Sequence, residues 1–208
     1  MRDVSMGMHM SADGYVATRD GSLDWAFPRF DEELEELAVE ALSELGIVLL
    51  GRVNYEEQAS HWPNADGSVA EIMNTVDKIV FSNTIDDQGR LEWENSRLAK
   101  GSPEEEIGLL RRDGGSGRIA VAGGATLVRH LTDQGLIDEF RFVVHPVALG
   151  EGLSIFSKPV SLDLVDSKRL LSGVVGERIQ EIGIDAQKSE GRCRRSQNRK
   201  RTCAAPRM

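Results

Sequence analysis

Cysteine is almost absent from this chain. The two that occur, Cys193 and Cys203, both lie in the last sixteen of 208 residues. A disulfide framework or a cysteine-ligated metal in the body is therefore excluded, and the tail pair has no metal-ligand spacing. Long apolar runs are missing too. The longest, such as Ile47 to Leu50, fall far short of the ~20 residues of a membrane span, and the opening MRDVSMGMHM has no signal-like apolar stretch. The expectation is a cytoplasmic protein with no membrane partner. No G-x-G-x-x-G follows a strand and no G-x-x-x-x-G-K-[ST] is present, which removes the ordinary dinucleotide fingerprint and the P-loop.

What is present is ordinary for one globular domain: 40% hydrophobic and 28% charged residues. The charge is divided. Residues 186–208 hold eight Lys/Arg and one acid, so +7, which leaves −16 of the total −9 on residues 1–185. So acidic a body repels phosphate backbones and makes nucleic acid an unfavoured partner. The division predicts a domain over 1–185 and a basic, disordered tail over 186–208.

Three runs, Ile47-Val48-Leu49-Leu50, Ile79-Val80-Phe81 and Ile119-Ala120-Val121-Ala122, are unbroken rather than alternating. That pattern predicts strands buried on both faces, as in a parallel sheet between helices. Val4 to Met10 is a fourth strand candidate. Between them lie helical patterns. Phe30, Leu34, Leu37, Ala38, Ala41, Leu42 and Leu45 form one stripe, with Asp31 as cap and Gly46 as stop. Val69 to Val76, a segment from Pro103, and Ala125 to Thr132 are further helices. After Ile137 the helices cease. A strand to His145-Pro146, a hairpin-like turn at Gly150-Glu151-Gly152, and strands at 162–171 and 173–184 predict an antiparallel edge. The fold class is α/β: a mixed central sheet, with a parallel core and an antiparallel C-terminal edge, between helices on both faces.

The three buried runs end alike: in Gly51-Arg52-Val53-Asn54, in Ser82-Asn83, and in Gly123-Gly124-Ala125-Thr126 before a helix. Open α/β sheets bind ligands outside the carboxyl ends of their strands. Glycines let a backbone approach a phosphate, hydroxyls and amides donate to it, Arg52 adds charge, and a helix N-terminus adds its free N–H groups. Near the end of the first strand, Asp13-Gly14-Tyr15 and Asp24-Trp25 supply carboxylates and an indole that could orient a flat heterocycle, or simply form turns around a half-buried Trp.

The segments S-A-D-G-Y-V-A, G-R-V-N-Y-E and G-G-A-T-L-V-R-H-L-x-x-x-G-L-I-D-E-F-R-F-x-V-H-P-V-x-L-G-x-G resemble the dihydrofolate-reductase-like family. More closely, they resemble stand-alone relatives of the reductase domain of the bifunctional riboflavin-biosynthesis deaminase-reductase. The likeness runs from about residue 3 to 184. It implies an NADP(H) cofactor, a reductase activity and a homodimer. It implies that Gly51, Arg52 and Asn54 lie along the adenosine and pyrophosphate, Ser82 and Asn83 near the 2′-phosphate, and Gly123, Gly124, Ala125 and Thr126 around the pyrophosphate and nicotinamide side. Asp13, Tyr15, Trp25 and Asp31 would line the substrate pocket.

Two departures are visible. Asn54 stands where the family commonly has Thr. Tyr15 stands where riboflavin-pathway reductases tend to carry a basic residue. The substrate class expected is a small polar heterocycle or a carbonyl or imine compound, riboflavin-pathway-like or pterin-like. Asp13, with Asp24 second, is the expected proton donor, on the ground that a buried carboxylate beside a ring has a raised pKa. His9, His61, His130 and His145 read as structural. No metal is expected. The competing readings are a non-catalytic NADP(H) or nucleotide-binding module and, behind it, nucleic-acid binding through the basic tail.

Overall fold

The computed structural model describes residues 2–84, 91–122 and 124–181; the tail 186–208 and Gly123 lie outside them. Eight strands form one sheet: β1 (Val4–Ser11), β2 (Leu45–Gly51), β3 (Asp77–Phe81), β4 (Ser96–Leu98), β5 (Arg118–Ala122), β6 (Glu139–His145), β7 (Leu162–Arg169) and β8 (Val175–Glu181). Five helices accompany them: α1 (Glu32–Ser43), α2 (Arg52–His61), α3 (Ser68–Thr75), α4 (Pro103–Leu110) and α5 (Ala125–Asp133). The sheet order is β4-β3-β2-β5-β1-β6-β8-β7. The first six strands in that order are mutually parallel, and β8 alone runs the other way, pairing antiparallel with both β6 and β7. The mixed α/β sheet is thus as the sequence predicts.

Strand alternation divides the core. Val4, Met6, Ile47, Leu49, Ile79, Ile119, Val121, Phe140 and Phe142 point to one face, against Ile107 and Leu110 of α4 and Val128 and Leu131 of α5. Val48, Leu50, Val80 and Ala120 point to the other, against Tyr55 of α2 and Met73 of α3. On that second face α1 packs over the far side of the sheet, where Leu34 joins Leu170, Val174, Leu37 and Val143. Burial on both faces is the reason β2, β3 and β5 read as continuous apolar runs.

Asp31 caps α1 by accepting from the Leu34 amide at 3.0 Å, and Ser102 and Glu105 close a capping box on α4. Several expectations need correction. Gly46 does not stop α1, which ends at Ser43. Gly46 is already inside β2, at a register shift against β5. Residues 52–61 form α2, which no periodicity announced, since Val53 is exposed and Tyr55 is buried. Gly150-Glu151-Gly152 joins no hairpin. Residues 146–161 are irregular, held to Ala17 by an isolated antiparallel bridge from Leu153. β7 carries a second register shift, between Leu164 and Asp166.

Lys78 on β3 is 1% exposed. Its Nζ donates to the carbonyls of Val76 at 2.7 Å and Glu94 at 3.1 Å and stands 4.3 Å from the centre of the Trp93 ring. Burial lowers its pKa to about 8. The unfolded chain, with a Lys near 10.5, binds the extra proton between those values, so stability rises with pH through that window. Measured against Lys78→Met, the wild type is expected to gain on the order of 1–3 kcal/mol between about pH 8 and 10.5. A difference in thermal stability that stays flat over that range would refute this.

Candidate active site

The carboxyl ends of β2 and β5, neighbours in the sheet, are each followed by a helix. Gly51 is the N-cap of α2 and Gly124, at φ +79°, is the N-cap of α5. Of the five described α-helices, α1, α3 and α4 carry acids in the first turn, and α1 and α4 are also capped by side chains. α2 and α5 have neither. Their first N–H groups and positive dipole ends are left for an outside anion. Asn54 and Gln58 bring the two ends together. Gln58 Nε2 donates to Asn54 Oδ1 at 2.5 Å and to the Ala122 carbonyl at 3.4 Å, and a Cβ on Gly124 would lie 3.8 Å from that of Asn54.

Ala125 and Thr126 occupy the first turn of α5. Ser82 and Asn83 follow β3, the next strand along, with Ser82 Oγ accepting from the Thr84 amide at 3.1 Å. Arg52 is at the start of α2, but its Nη1 donates to both carboxylate oxygens of Glu56, at 2.9 and 2.8 Å. That half-exposed (i, i+4) pair would have to open, at a cost of a few tenths of a kcal/mol, for Arg52 to hold a phosphate.

Beside this end the sheet has a bare strip. On the face shared by α1 and α2, β5 presents Ala120 and Ala122 while β1 presents Ser5 and Gly7, with Ser5 beside Ala120 and Gly7 beside Ala122. Gly7 sits in the middle of the sheet, yet it is exposed. A Cβ there would meet only the Arg141 carbonyl, at 4.0 Å. Ser5 and Ala120 are themselves buried, whereas Gly7 and Ala122 leave the sheet surface open. Arg141, beside Gly7 on β6, borders it, bound to Glu139 at 2.7 Å and to Glu44 at the end of α1 at 2.6 Å.

The segment after β1 is knitted to the segment after β6. Ala12 N–H donates to Val147 O, Val16 N–H to Leu153 O, and Leu153 N–H to Ala17 O, all at 2.8–2.9 Å. Asp13 is the clasp. It accepts from Ser11 Oγ at 2.6 Å, Gly150 N–H at 2.7 Å and Leu149 N–H at 3.1 Å. The Ser11 hydroxyl first, then the Gly150 amide, hold its carboxyl below the usual range. Asp13 is exposed and stays ionised, which corrects the expectation of a buried acid with a raised pKa. Asp24 is likewise at the surface, its amide donating to Ser22 Oγ at 3.1 Å. Tyr15 lies over Gly152, whose absent Cβ would fall 3.1 Å from Tyr15 Cβ. Asp31 is engaged as the cap of α1.

Trp25 does reach the strand ends, but through a partner the sequence did not single out. Its ring meets the edge of His145 at 5.4 Å and 89°, and His145 Nε2 lies 2.9 Å from His9 Nδ1. His145 is fully buried. Burial, then the neighbouring His145, pushes His9 down to about 4. Burial, then Arg29, also lowers His145. Both rings are neutral at physiological pH. The two histidines are 136 positions apart, and only the pairing of β1 with β6 reveals them as one unit.

Helices on both faces of a mixed sheet, two of them starting at strand ends without side-chain caps, define an open α/β protein of the dihydrofolate-reductase-like fold. The fold of Enterococcus faecalis dihydrofolate reductase, a structure holding NADP(H), superposes with a TM-score of 0.56 at 16% identity, covering 87% of this chain and 97% of that one. The RibD of Acinetobacter baumannii gives a TM-score of 0.66 at 16% identity, over 88% of this chain and 59% of that one. In sequence, the RibD C-terminal domain matches residues 2–176, and the chain belongs to that family. It is 28% identical over 185 residues to the uncharacterised Bacillus subtilis (strain 168) protein YyaP, covering 84% of this chain and 92% of that one. Membership supports a reductase-type function. Among the described residues, no helix is long and apolar enough to cross a membrane.

Proposed function

We propose that the protein is an NADPH-dependent reductase acting on a small polar heterocyclic, carbonyl or imine substrate. One observation carries the reading: two adjacent helix N-termini, without side-chain caps or first-turn acids, open beside a stretch of sheet left uncovered at Gly7 and Ala122. The dinucleotide pyrophosphate fits the first feature, and a flat ring fits the second. In this reading Gly51, Asn54, Gly124, Ala125 and Thr126 hold the pyrophosphate, while Ser82, Asn83 and a released Arg52 select the 2′-phosphate. Bound NADPH supplies the hydride. The chain's own groups bind, orient and exclude water.

The low-lying Asp13 carboxyl favours a second reading, a module that binds NADP(H) without turnover. Replacing Asp13 by Ala should leave cofactor affinity largely intact in either case, and only an enzyme has turnover to change.

The test is a fluorescence titration with NADPH and NADH. Micromolar NADPH binding, with NADH weaker by about tenfold or more, is expected. Gly124→Val should abolish binding by placing a branched residue at φ +79°. Thr126→Glu is the cleaner variant. An acid in the first turn favours the helix but meets the phosphate, so affinity should fall with the fold intact. Absence of binding by the folded wild type would remove the proposal.

A further inference from the structure

We infer that His9, locked in one tautomer by His145, offers its Nε2–H as the hydrogen-bond donor that reads an acceptor atom of the ring bound over Gly7. This rests on the reductase reading above and names a residue for its substrate half.

The tautomer follows from burial. His145 Nδ1 is buried and bonds to no described residue. An orphaned buried N–H is rarer and costlier than a bare lone pair, so the hydrogen of His145 sits on Nε2 and donates to His9 Nδ1, 2.9 Å away. His9 then carries its own hydrogen on Nε2, which bonds to no described residue. The indole of Trp25, itself with a buried and unpaired Nε1, stands edge-on against His145 and fixes that ring. The fully buried imidazole is thereby a brace, and the partly exposed one is the working group.

The placement follows from strand alternation. His9 and Gly7 are two apart on β1 and share a face. Gly7 is exposed, so His9 stands beside that open stretch of the sheet, on the side nearest the Asp13 clasp. The charged groups facing the pair are few. Arg29 repels a proton on His145. Asp13 is turned to Ser11 and to the amides of Leu149 and Gly150. A donor that stays neutral suits a neutral acceptor: a carbonyl oxygen or ring nitrogen of a planar heterocycle. A neutral imidazole with a depressed pKa can polarise such an atom without giving up its proton. It therefore acts as a hydrogen-bond donor, and no proton transfer from the pair is invoked.

The test uses the full chain with 15N-labelled histidine. Imidazole spectra near pH 8 should show the Nε2–H tautomer for both rings, and on acidification His9 should stay uncharged down to about pH 5. Uracil, 2-pyridone and pterin are then added at millimolar concentration to NADP+-loaded protein. At least one should shift the His9 Nε2 resonance. For that probe, His9→Leu should weaken binding about tenfold or more, whereas His9→Gln, which keeps an N–H at similar reach, should stay within about threefold. An Nδ1–H tautomer at His9, no probe reaching His9 Nε2, or a Leu variant binding as tightly as wild type would each overturn the inference. Titrating the wild type with NADPH separates the two failures. If NADPH binds but no probe touches His9, only this inference falls. If NADPH does not bind, the reductase reading falls with it.

Discussion

Gly117→Ala is expected to lower the melting temperature by about 10 °C, while Gly114→Ala, three residues away, lowers it far less. Both glycines have positive φ, +73° and +70°, so both variants pay roughly 1–2 kcal/mol for the left-handed backbone. Their surroundings differ. A Cβ on Gly114 meets nothing within 4 Å. A Cβ on Gly117 falls 2.6 Å from Gly46 N, 2.8 Å from Gly46 Cα and 2.9 Å from the Leu45 carbonyl carbon. All three are backbone atoms, which cannot swing aside. The approach is reciprocal, since a Cβ on Gly46 would sit 2.0 Å from the Ser116 carbonyl oxygen. Relieving the clash means parting β2 from β5 where the register already shifts. Overpacking of this kind adds ~1–3 kcal/mol, and each kcal/mol is worth about 2–4 °C for a domain of this size. Thermal unfolding of the two variants side by side decides the matter, and equal losses would show the close approach to be harmless.

Arg97→Ala is expected to cost about 3 kcal/mol near neutral pH. Glu106 on α4 is 2% exposed. It receives both arms of Arg97, at 3.1 and 2.7 Å, and the Lys100 amide at 2.6 Å. The Arg97 bonds are the main reason its carboxyl lies below the usual range. Removing one partner of a buried pair leaves a buried charge, for which ~3–5 kcal/mol is typical. The side chain of Arg97 is 43% exposed, so water can enter where it stood and the lower figure applies.

The pH dependence has a definite sign. With its folded pKa depressed, Glu106 stabilises the wild type above its unfolded value near 4.5, and that contribution is lost as pH falls through the folded value. In the variant, desolvation is opposed by Lys100 alone, so the carboxyl moves upward from its wild-type position. The gap between the two proteins is therefore widest above about pH 5 and closes in acid. Adding Glu106→Gln to Arg97→Ala should recover part of the loss. Urea denaturation at pH 7 and pH 4 that gave the same gap would contradict this account.

The elements that could be read from the chain were those whose burial left a local mark. β2, β3 and β5 are covered on both faces and so are apolar without interruption. α1 is covered on one and so carries a stripe. α2 left no such mark. It starts on a glycine without a cap, exposes Val53 and buries Tyr55, because its role is to present an open N-terminus. β4, with three residues, is too short to show a period. The strand ends stood out by composition, yet the Arg52–Glu56 pair, though local, went unnoticed. The open stretch of sheet depends on Gly7 meeting Ala122, and the histidine pair on β1 meeting β6. Neither juxtaposition exists until the sheet order is known.

The register shift in β7 also bears on how copies of the protein could meet. β7 is the last strand of the sheet, nearly all of it exposed, with Leu164 and Val165 at the surface. A straight edge of that length offers a row of backbone donors and acceptors to any extended chain. The irregularity between Leu164 and Asp166 breaks the spacing of that row, and Asp163, Asp166, Lys168 and Arg169 surround it with charge of both signs. An incoming strand would lose its hydrogen bonds at the shift and crowd against the charged side chains on either side of it. The margin is thereby a poor template for lengthening the sheet.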